Sequence, residues 1–295
     1  MKRYIVYTLL LWVFSPMVQS CTEKSDNSPL PIEEEEAAIA PPVLFTVIGD
    51  VPYNETQRIA LNSIVSDHNA KSQSEFIIHV GDIKPGSEPC NEQVYVDVSS
   101  MLEKFEVPTF IILGDNEFND CENPEEGLQF WNDYFFHFNE KWQFAHAVAY
   151  QEERAENFTW TENEILFIGI NLVGSRVHDA DEWSTRLSHN AHWVAQLLED
   201  NKNNTKAAVI FAHANIVNFG TAKFRAFTDV FRASAAEYAQ PVLFLHGDGH
   251  NWIQDRPWTE QNILRVQING GGEAVQVTVD TAKENTFSFD TQFLD

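Results

Sequence analysis

The clearest pattern along the chain is a series of short apolar runs, each stopping at a Gly-Asp pair or a histidine. Val43–Ile48 reads as a buried strand and is followed by Gly49-Asp50. Phe76–Val80 and Thr109–Leu113 repeat the pattern and stop at Gly81-Asp82 and Gly114-Asp115. Apolar runs of roughly four to eight residues, without polar alternation, fit strands covered on both faces. Between them, Glu55–Asn69 carries Ile59, Leu61, Ile64 and Val65 at roughly helical spacing, and Asn91–Lys104 predicts a second helix. This is the alternation of parallel strands joined by crossover helices.

The middle of the chain changes character. Ala145–Tyr150, Asn157–Thr161 and Glu164–Leu172 predict strands, the last two joined by a tight turn at Glu162-Asn163. Ser188–Asn201 predicts a helix with Trp193, Leu197 and Leu198 on one side. The alternation resumes with Ala207–Ala212 as strand, Ala222–Ala239 as helix and Val242–Leu245 as strand. Ile263–Ile268 and Ala274–Asp280 are expected as a closing strand pair. No internal repeat or second linker interrupts the series, so one α/β domain with two sheets is expected over residues 43–290.

Composition narrows the function classes. The 295 residues are 43% hydrophobic and 13% aromatic, which excludes wholesale disorder. A net charge of −25 repels phosphate backbones and anionic headgroups, so no nucleic-acid partner is expected. An anionic substrate stays open, because a bound metal inverts the local field. Three cysteines exclude a disulfide-built miniprotein and a four-cysteine zinc site.

The N-terminus reads as an address. Lys2 and Arg3 precede the apolar stretch Tyr4–Phe14, which has the length of a signal peptide and is too short to span a bilayer. Val18-Gln19-Ser20-Cys21 resembles a bacterial lipoprotein cleavage site, which implies removal of residues 1–20 and acylation of Cys21. The alternative is an ordinary secretory peptide with an incidental cysteine. Residues 21–42, with Glu33-Glu34-Glu35-Glu36, have no apolar periodicity and read as a disordered acidic tether. A flexible chain of that length spans about 25 Å. The expected location is exported, periplasmic or cell-surface, held to a membrane by lipid.

The candidate chemistry sits at the strand ends. In parallel α/β sheets, ligands bind outside the carboxyl ends of the strands. Five predicted strands end in a possible metal ligand: Asp50, Asp82, Asp115, His213, and Asp248 with His250. Any one Gly-Asp is more often a turn, but four at four strand ends with a histidine at the fifth form a pattern. Converging carboxylates repel unless a cation holds them, and a dinuclear metal centre is the simplest answer. His79 and His246 read as hydrogen-bonded core neighbours of these motifs. His68, His137, His146, His178, His189 and His192 fall off the pattern, though His178 and His192 lie in segments that could line a pocket. Cys90 and Cys121 each follow a strand-end motif. An exported chain favours a disulfide between them, with a thiol metal site as the rival.

Val47-Ile-Gly-Asp-Val-Pro-Tyr53, His79-Val-Gly-Asp-Ile-Lys-Pro-Gly86, Gly114-Asp-Asn-Glu117, Ala212-His-Ala214 and His246-Gly-Asp-Gly-His250 resemble, in order, the five motifs of the calcineurin-like metallophosphoesterases. They are similar in particular to a bacterial branch with a Gly-Asp-x-Pro-Tyr start, a Gly-Asp-Asn-Glu motif followed by Asp-Cys, and a His-Gly-Asp-x-His end. The resemblance implies a four-layer α/β/β/α sandwich with two central mixed sheets and two divalent ions, whether Mn, Mg, Ca, Fe or Zn. Asp82 would bridge them, Asp50 and His250 would hold the first, and Asp115, His213 and Asp248 the second. The implied reaction is hydrolysis of a small phosphate mono- or diester by a bridging hydroxide. The alternative is a surface-tethered binding protein that kept the fold without the chemistry.

The departures from the family pattern are chemical. Pro52 stands where a histidine ligand is usual, and Pro85 where an acid or tyrosine is usual. Asp115 replaces an asparagine, Asn116 the histidine that serves the leaving group, and Asp248 a histidine ligand. The shift from nitrogen to oxygen donors favours harder ions such as Mn²⁺, Mg²⁺ or Ca²⁺. An amide has no useful proton to give, so Asn116 is left with donating a hydrogen bond to a phosphoryl oxygen, and protonation of the leaving group falls to a metal-bound water, to His213 if unligated, or to no group at all. Tyr53 and Trp252 flank motif residues and are candidates for touching substrate. Tyr95, Phe118, Trp131, Trp183 and Trp258 are expected in the core.

Overall fold

Val43–Ile48 (β1), Phe76–His79 (β2) and Thr109–Ile111 (β3) lie side by side in parallel. They do so in a computed structural model that describes residues 40–295. The signal peptide, Cys21 and nearly all of the tether lie outside the described residues. On the other edge of β1, Val275–Val279 (β11) pairs antiparallel, and Phe287–Asp290 (β12) pairs antiparallel beyond it, completing a five-stranded sheet.

The second sheet has seven strands. In chain order they are Ala149–Tyr150 (β4), Phe158–Glu162 (β5), Ile165–Gly169 (β6), Ala207–Phe211 (β7), Val242–His246 (β8), Ile253–Asp255 (β9) and Ile263–Gln267 (β10). In space the order is β4-β5-β6-β7-β8-β10-β9, with β6, β7, β8 and β10 parallel.

The apolar runs lack polar alternation because both faces of each strand are covered. Val43, Phe45 and Val47 of β1, Phe76 and Ile78 of β2, and Val209 and Phe211 of β7 point into a core between the sheets. Ile48 and Ile77 point instead to the helices Glu55–Lys71 (α1), Glu92–Leu102 (α2) and Pro124–Phe135 (α3). Ala208 and Ile210 of β7 and Phe244 of β8 point to the helices Ala180–Asn201 (α4) and Arg225–Tyr238 (α5). Strand side chains alternate between faces, so each run feeds two cores at once, and the result is the expected four-layer α/β/β/α sandwich. Phe76 anchors the middle layer, stacked on Phe45 at 5.0 Å and edge-on to Trp160 at 5.0 Å. Burying each such ring is worth roughly 1.5–3 kcal/mol.

Three expectations are corrected. Ile263–Ile268 and Ala274–Asp280 do not pair with each other: β10 joins β8 and β9 in one sheet, while β11 joins β1 in the other. Periodicity marks a strand but not its partner. The turn between β5 and β6 is Asn163-Glu164, both at positive φ, one residue later than expected, with Glu162 opposite Ile165. Helix α4 begins near Asp179, whose carboxylate accepts from the backbone N–H of Asp181 and Glu182, well before Ser188. Helix α3 and strands β9 and β12 were not foreseen. The start of α3 was nonetheless written in the chain as Asn123-Pro124-Glu125-Glu126: a capping side chain, a proline at the first position and acids in the first turn.

His68 turns out to be a core residue. It is 2% exposed, its Nε2 lies 3.1 Å from Thr46 Oγ1, and its ring packs edge-on to Phe105. Burial lowers its pKa from 6.5 to about 4. The unfolded chain therefore binds a proton here that the folded chain refuses, and stability falls as pH drops from 6.5 towards 4. Urea melts across this range should show that fall, and His68→Gln should make it shallower by the share of this one group.

Candidate metal centre

The parallel strands of both sheets deliver their carboxyl ends to one edge of the sandwich. Asp50 follows β1, Asp82 follows β2, Asp115 follows β3, His213 follows β7, and Asp248 and His250 follow β8. Asp50, Asp82, Asp248 and His250 all have left-handed backbone, with φ of 51°, 64°, 72° and 52°. Aspartate and histidine tolerate this region better than most residues, and such strain gathers at functional sites. The chains also approach closely: a Cβ on Gly114 would fall 2.1 Å from the Asp82 nitrogen. That clash explains the glycine before Asp115.

Two sets of possible ligand atoms each lie within 4.8 Å of one another: Asp50, Asp82 and His213, and Asp115, His213 and Asp248. His213 belongs to both, with Nε2 3.3 Å from Asp82 Oδ1 and 3.8 Å from Asp115 Oδ1. His250 closes the open side, its Nε2 3.2 Å from Asp50 Oδ1. Asn116 donates through its backbone N–H to Asp82 Oδ1 at 3.0 Å and through its amide to Asp82 Oδ2. The Tyr53 hydroxyl donates to Asp82 Oδ2 at 2.6 Å.

The electrostatics are those of a cage built for cations. Burial raises Asp82 well above the usual carboxylate range, His213 pulls it back, and Asp115, Glu117 and Asp50 add to the rise. Burial first and Asp115 second bring Asp248 to about 6 against the pull of His213. Burial pulls His213 down, but Asp82, Asp115 and Asp248 push it well above its ordinary value. Burial pushes the Tyr53 phenol up, with Asp82 and Asp50 adding to it.

Two buried atoms here have no hydrogen-bond partner: Asp50 Oδ2 and His213 Nε2. His213 Nδ1 is committed to the Val80 carbonyl at 2.8 Å, which fixes the tautomer and leaves Nε2 bare. A carboxylate oxygen and an imidazole nitrogen, buried and unpartnered among further carboxylates, fit divalent cations.

A second layer of polar groups holds this set, and the sequence did not reveal it. Glu117, fully buried, accepts from the backbone N–H of Gly114, Asp82 and Ile83, tying the β2 and β3 loops together. Burial raises its pKa, and those three N–H donors counter the rise. Asn215 N donates to Asp248 Oδ2 at 3.0 Å, while its amide donates to Gln267. Asp50 Oδ1 accepts from the backbone N–H of Asp248, joining the ends of β1 and β8 across the two sheets.

The expected cysteine pair forms: Cys90 and Cys121 are disulfide-bonded with Cα atoms 5.5 Å apart, and the bridge staples the loops that carry Asp82 and Asp115.

Above these residues lies a cleft of about 410 Å³, lined by Tyr53, Asp82, Asn116, Asp120, Phe219 and His250 among others. Among the described residues lining it none is Lys or Arg. Trp252 does not line it and packs on Phe289 instead; neither His178 nor His192 lines it. His79 and His246 are buried neutral neighbours, lowered by burial to about 4 and about 3, and His79 Nε2 donates to the Val51 carbonyl.

The family model of the calcineurin-like phosphoesterases matches residues 43–251, most of the chain. The chain belongs to that family. It is by this a metal-dependent phosphoesterase, a phosphoric ester hydrolase. No curated protein matches it. Among solved structures it is similar to a dimetal phosphatase from Danio rerio, with a TM-score of 0.54 at 12% identity over 84% of this chain and 98% of that one. It is also similar to a Candida albicans 5'-nucleotidase (TM-score 0.53, 12% identity), covering 85% of this chain and about half, 52%, of the nucleotidase. A third is the anchor protein of the Plasmodium inner membrane complex (TM-score 0.51, 12% identity, 85% and 88% covered). At such identities these likenesses speak for the fold alone.

The staple yields a prediction. A bridge closing 31 residues stabilises by about 3–4 kcal/mol in the chain-entropy view. Cys90→Ser/Cys121→Ser should lower the urea midpoint by a corresponding amount and weaken metal uptake, measured by ion titration.

Proposed function

We propose that this phosphoesterase is exported, tethered through Cys21, and acts on small phosphate mono- or diesters with two divalent ions. The observation that carries the metal reading is the pair of bare buried atoms, Asp50 Oδ2 and His213 Nε2, inside a ring of carboxylates. Asp50, Asp82 and His250 would hold one ion, and Asp115, His213 and Asp248 the other, with Asp82 between them. When bound, the ions supply Lewis acidity toward phosphoryl oxygens and a nucleophile at neutral pH.

The chain's own residues do the rest. With no Lys or Arg among the described residues lining the cleft, recognition of phosphoryl charge falls to the ions and to neutral donors such as the Asn116 amide. Asn116 has no proton to transfer, and His213 is fully buried with Nδ1 committed to backbone, so it serves as a ligand rather than an acid. The missing general acid, worth about 10²- to 10⁴-fold, makes the leaving group decisive. The cleft volume suits a small ester. The Cys90–Cys121 bridge supports an oxidising compartment and hence export. The binding-protein alternative draws on Pro52 and Asn116, and an empty site in protein prepared without chelator would favour it.

Purified domain with p-nitrophenyl phosphate and bis-p-nitrophenyl phosphate, across Mn²⁺, Mg²⁺, Ca²⁺ and Zn²⁺, tests the catalytic reading. The expected result is metal-stimulated turnover that is at least about 100-fold faster for nitrophenyl than for alkyl esters. No stimulation with any ion or ester would sink it. Within that assay Asp82→Asn should abolish activity, while Asp115→Asn, which restores the commoner donor type of the family, should retain more. For the tether, Cys21→Ser should move the protein from the membrane fraction to the soluble one with domain activity unchanged. Unaltered membrane association would refute the lipid anchor.

A further inference from the structure

We infer that the phenol oxygen of Tyr53 is a ligand of the first metal, taking the place left open at position 52. The inference rests on the dinuclear reading above and adds a residue to it. Pro52 carries no donor atom, which leaves Asp50, Asp82 and His250 as the set around that ion. Tyr53 is the next residue, and its hydroxyl lies 2.6 Å from Asp82 Oδ2 and 3.2 Å from His250 Nε2. The same His250 nitrogen is 3.2 Å from Asp50 Oδ1. The phenol oxygen therefore lies within hydrogen-bond distance of donor atoms from two of the three assigned ligands, and one of those two touches the third.

The residue is also positioned rather than loose. Its backbone N–H donates to Gln57 Oε1 at 2.6 Å at the head of α1, and its ring meets the His250 ring edge-on at 5.3 Å. A tyrosine buried for packing alone needs one acceptor for its hydroxyl. Here the hydroxyl meets a carboxylate, an imidazole and the Asn116 amide at 3.1 Å, all facing the cleft. Replacing an imidazole nitrogen by a phenol oxygen also follows the trend set by Asp115 and Asp248, toward oxygen donors and harder ions. Coordination as phenolate breaks the O–H bond, forms a metal–oxygen bond and releases the proton to solvent, so metal uptake releases a proton.

Two measurements on the full chain decide it. Titration with Mn²⁺ alone should give two ions on wild type, and in Tyr53→Phe one of the two should bind at least about tenfold more weakly. That loss alone fits a positioning role too, so the second readout is spectroscopic. Loaded with ferric citrate, wild type should show a visible phenolate-to-Fe(III) charge-transfer band, and Tyr53→Phe should lack it. Asn116→Ala, which removes a neighbour of the same hydroxyl but no ligand, should keep the band. Thermal melts of all three chains establish that they are folded. A ferric wild type without the band, or a Tyr53→Phe chain that keeps it, overturns the assignment while leaving the two-metal reading standing. A wild type that takes up no ion overturns both.

Discussion

Asp50, Asp82, Asp115 and Asp248 are held where free anions would drive one another apart. Two like charges about 4 Å apart repel by roughly 4 kcal/mol at an effective dielectric near 20. The protein spends structure on keeping them there. Their backbones take left-handed conformations at three of the four positions, a glycine before Asp115 admits the Asp82 backbone, and Glu117 clamps the two loops from beneath. Asp50 bonds the backbone of Asp248 across the sheets. Burial and neighbouring acids raise Asp82 and Asp248, and the acids raise His213 against its burial. Cations relieve the same repulsion with charge, and that relief is the physical link between this fold and phosphoester chemistry.

The rest of the sandwich can be understood as the frame that keeps this cage rigid. The core between the sheets is crowded with aromatic rings, from Phe45 and Phe76 to Trp160 and Phe167, and so fixes how the two sheets face each other. That geometry sets the distance between Asp50, Asp82 and Asp115 after β1–β3 and His213, Asp248 and His250 after β7–β8, since the two groups come from opposite sheets. The Cys90–Cys121 bridge adds a covalent limit on one wall of the cleft. What the wall lacks is equally informative. Among the described residues lining the cleft none is Lys or Arg, and the Asn116 amide there donates to Asp82.

Much of this was legible in the sequence. The strands β1, β2, β3, β7 and β8, the convergence of Asp50, Asp82, Asp115, His213, Asp248 and His250, and the Cys90–Cys121 pairing all followed from apolar runs punctuated by Gly-Asp and from cysteines placed after motifs. They were legible because local sequence governs strand ends and glycine turns, and because parallel sheets send those ends to one side. Helix α3 was not expected although its cap is visible at Asn123-Pro124; its buried face runs through Gly127, Trp131 and Phe135, and the glycine interrupts the apolar period.

What only the tertiary structure decided are relations between distant residues. Periodicity could not say that β10 and β11 belong to different sheets, because a strand's pattern records burial and not its neighbour. Nothing local marked Glu117 as a clamp on three backbone N–H groups, or Asn215 and Gln267 as supports for Asp248, since such roles exist only once loops far apart in the chain meet. Tyr53 likewise read as a candidate for touching substrate, and Trp252 as its equal. Folding put the Tyr53 hydroxyl against Asp82 and His250 and turned Trp252 onto Phe289. The sequence determined which groups would gather at the strand ends; three-dimensional packing alone set which atoms face one another there, because that depends on how two independently twisted sheets are pressed together.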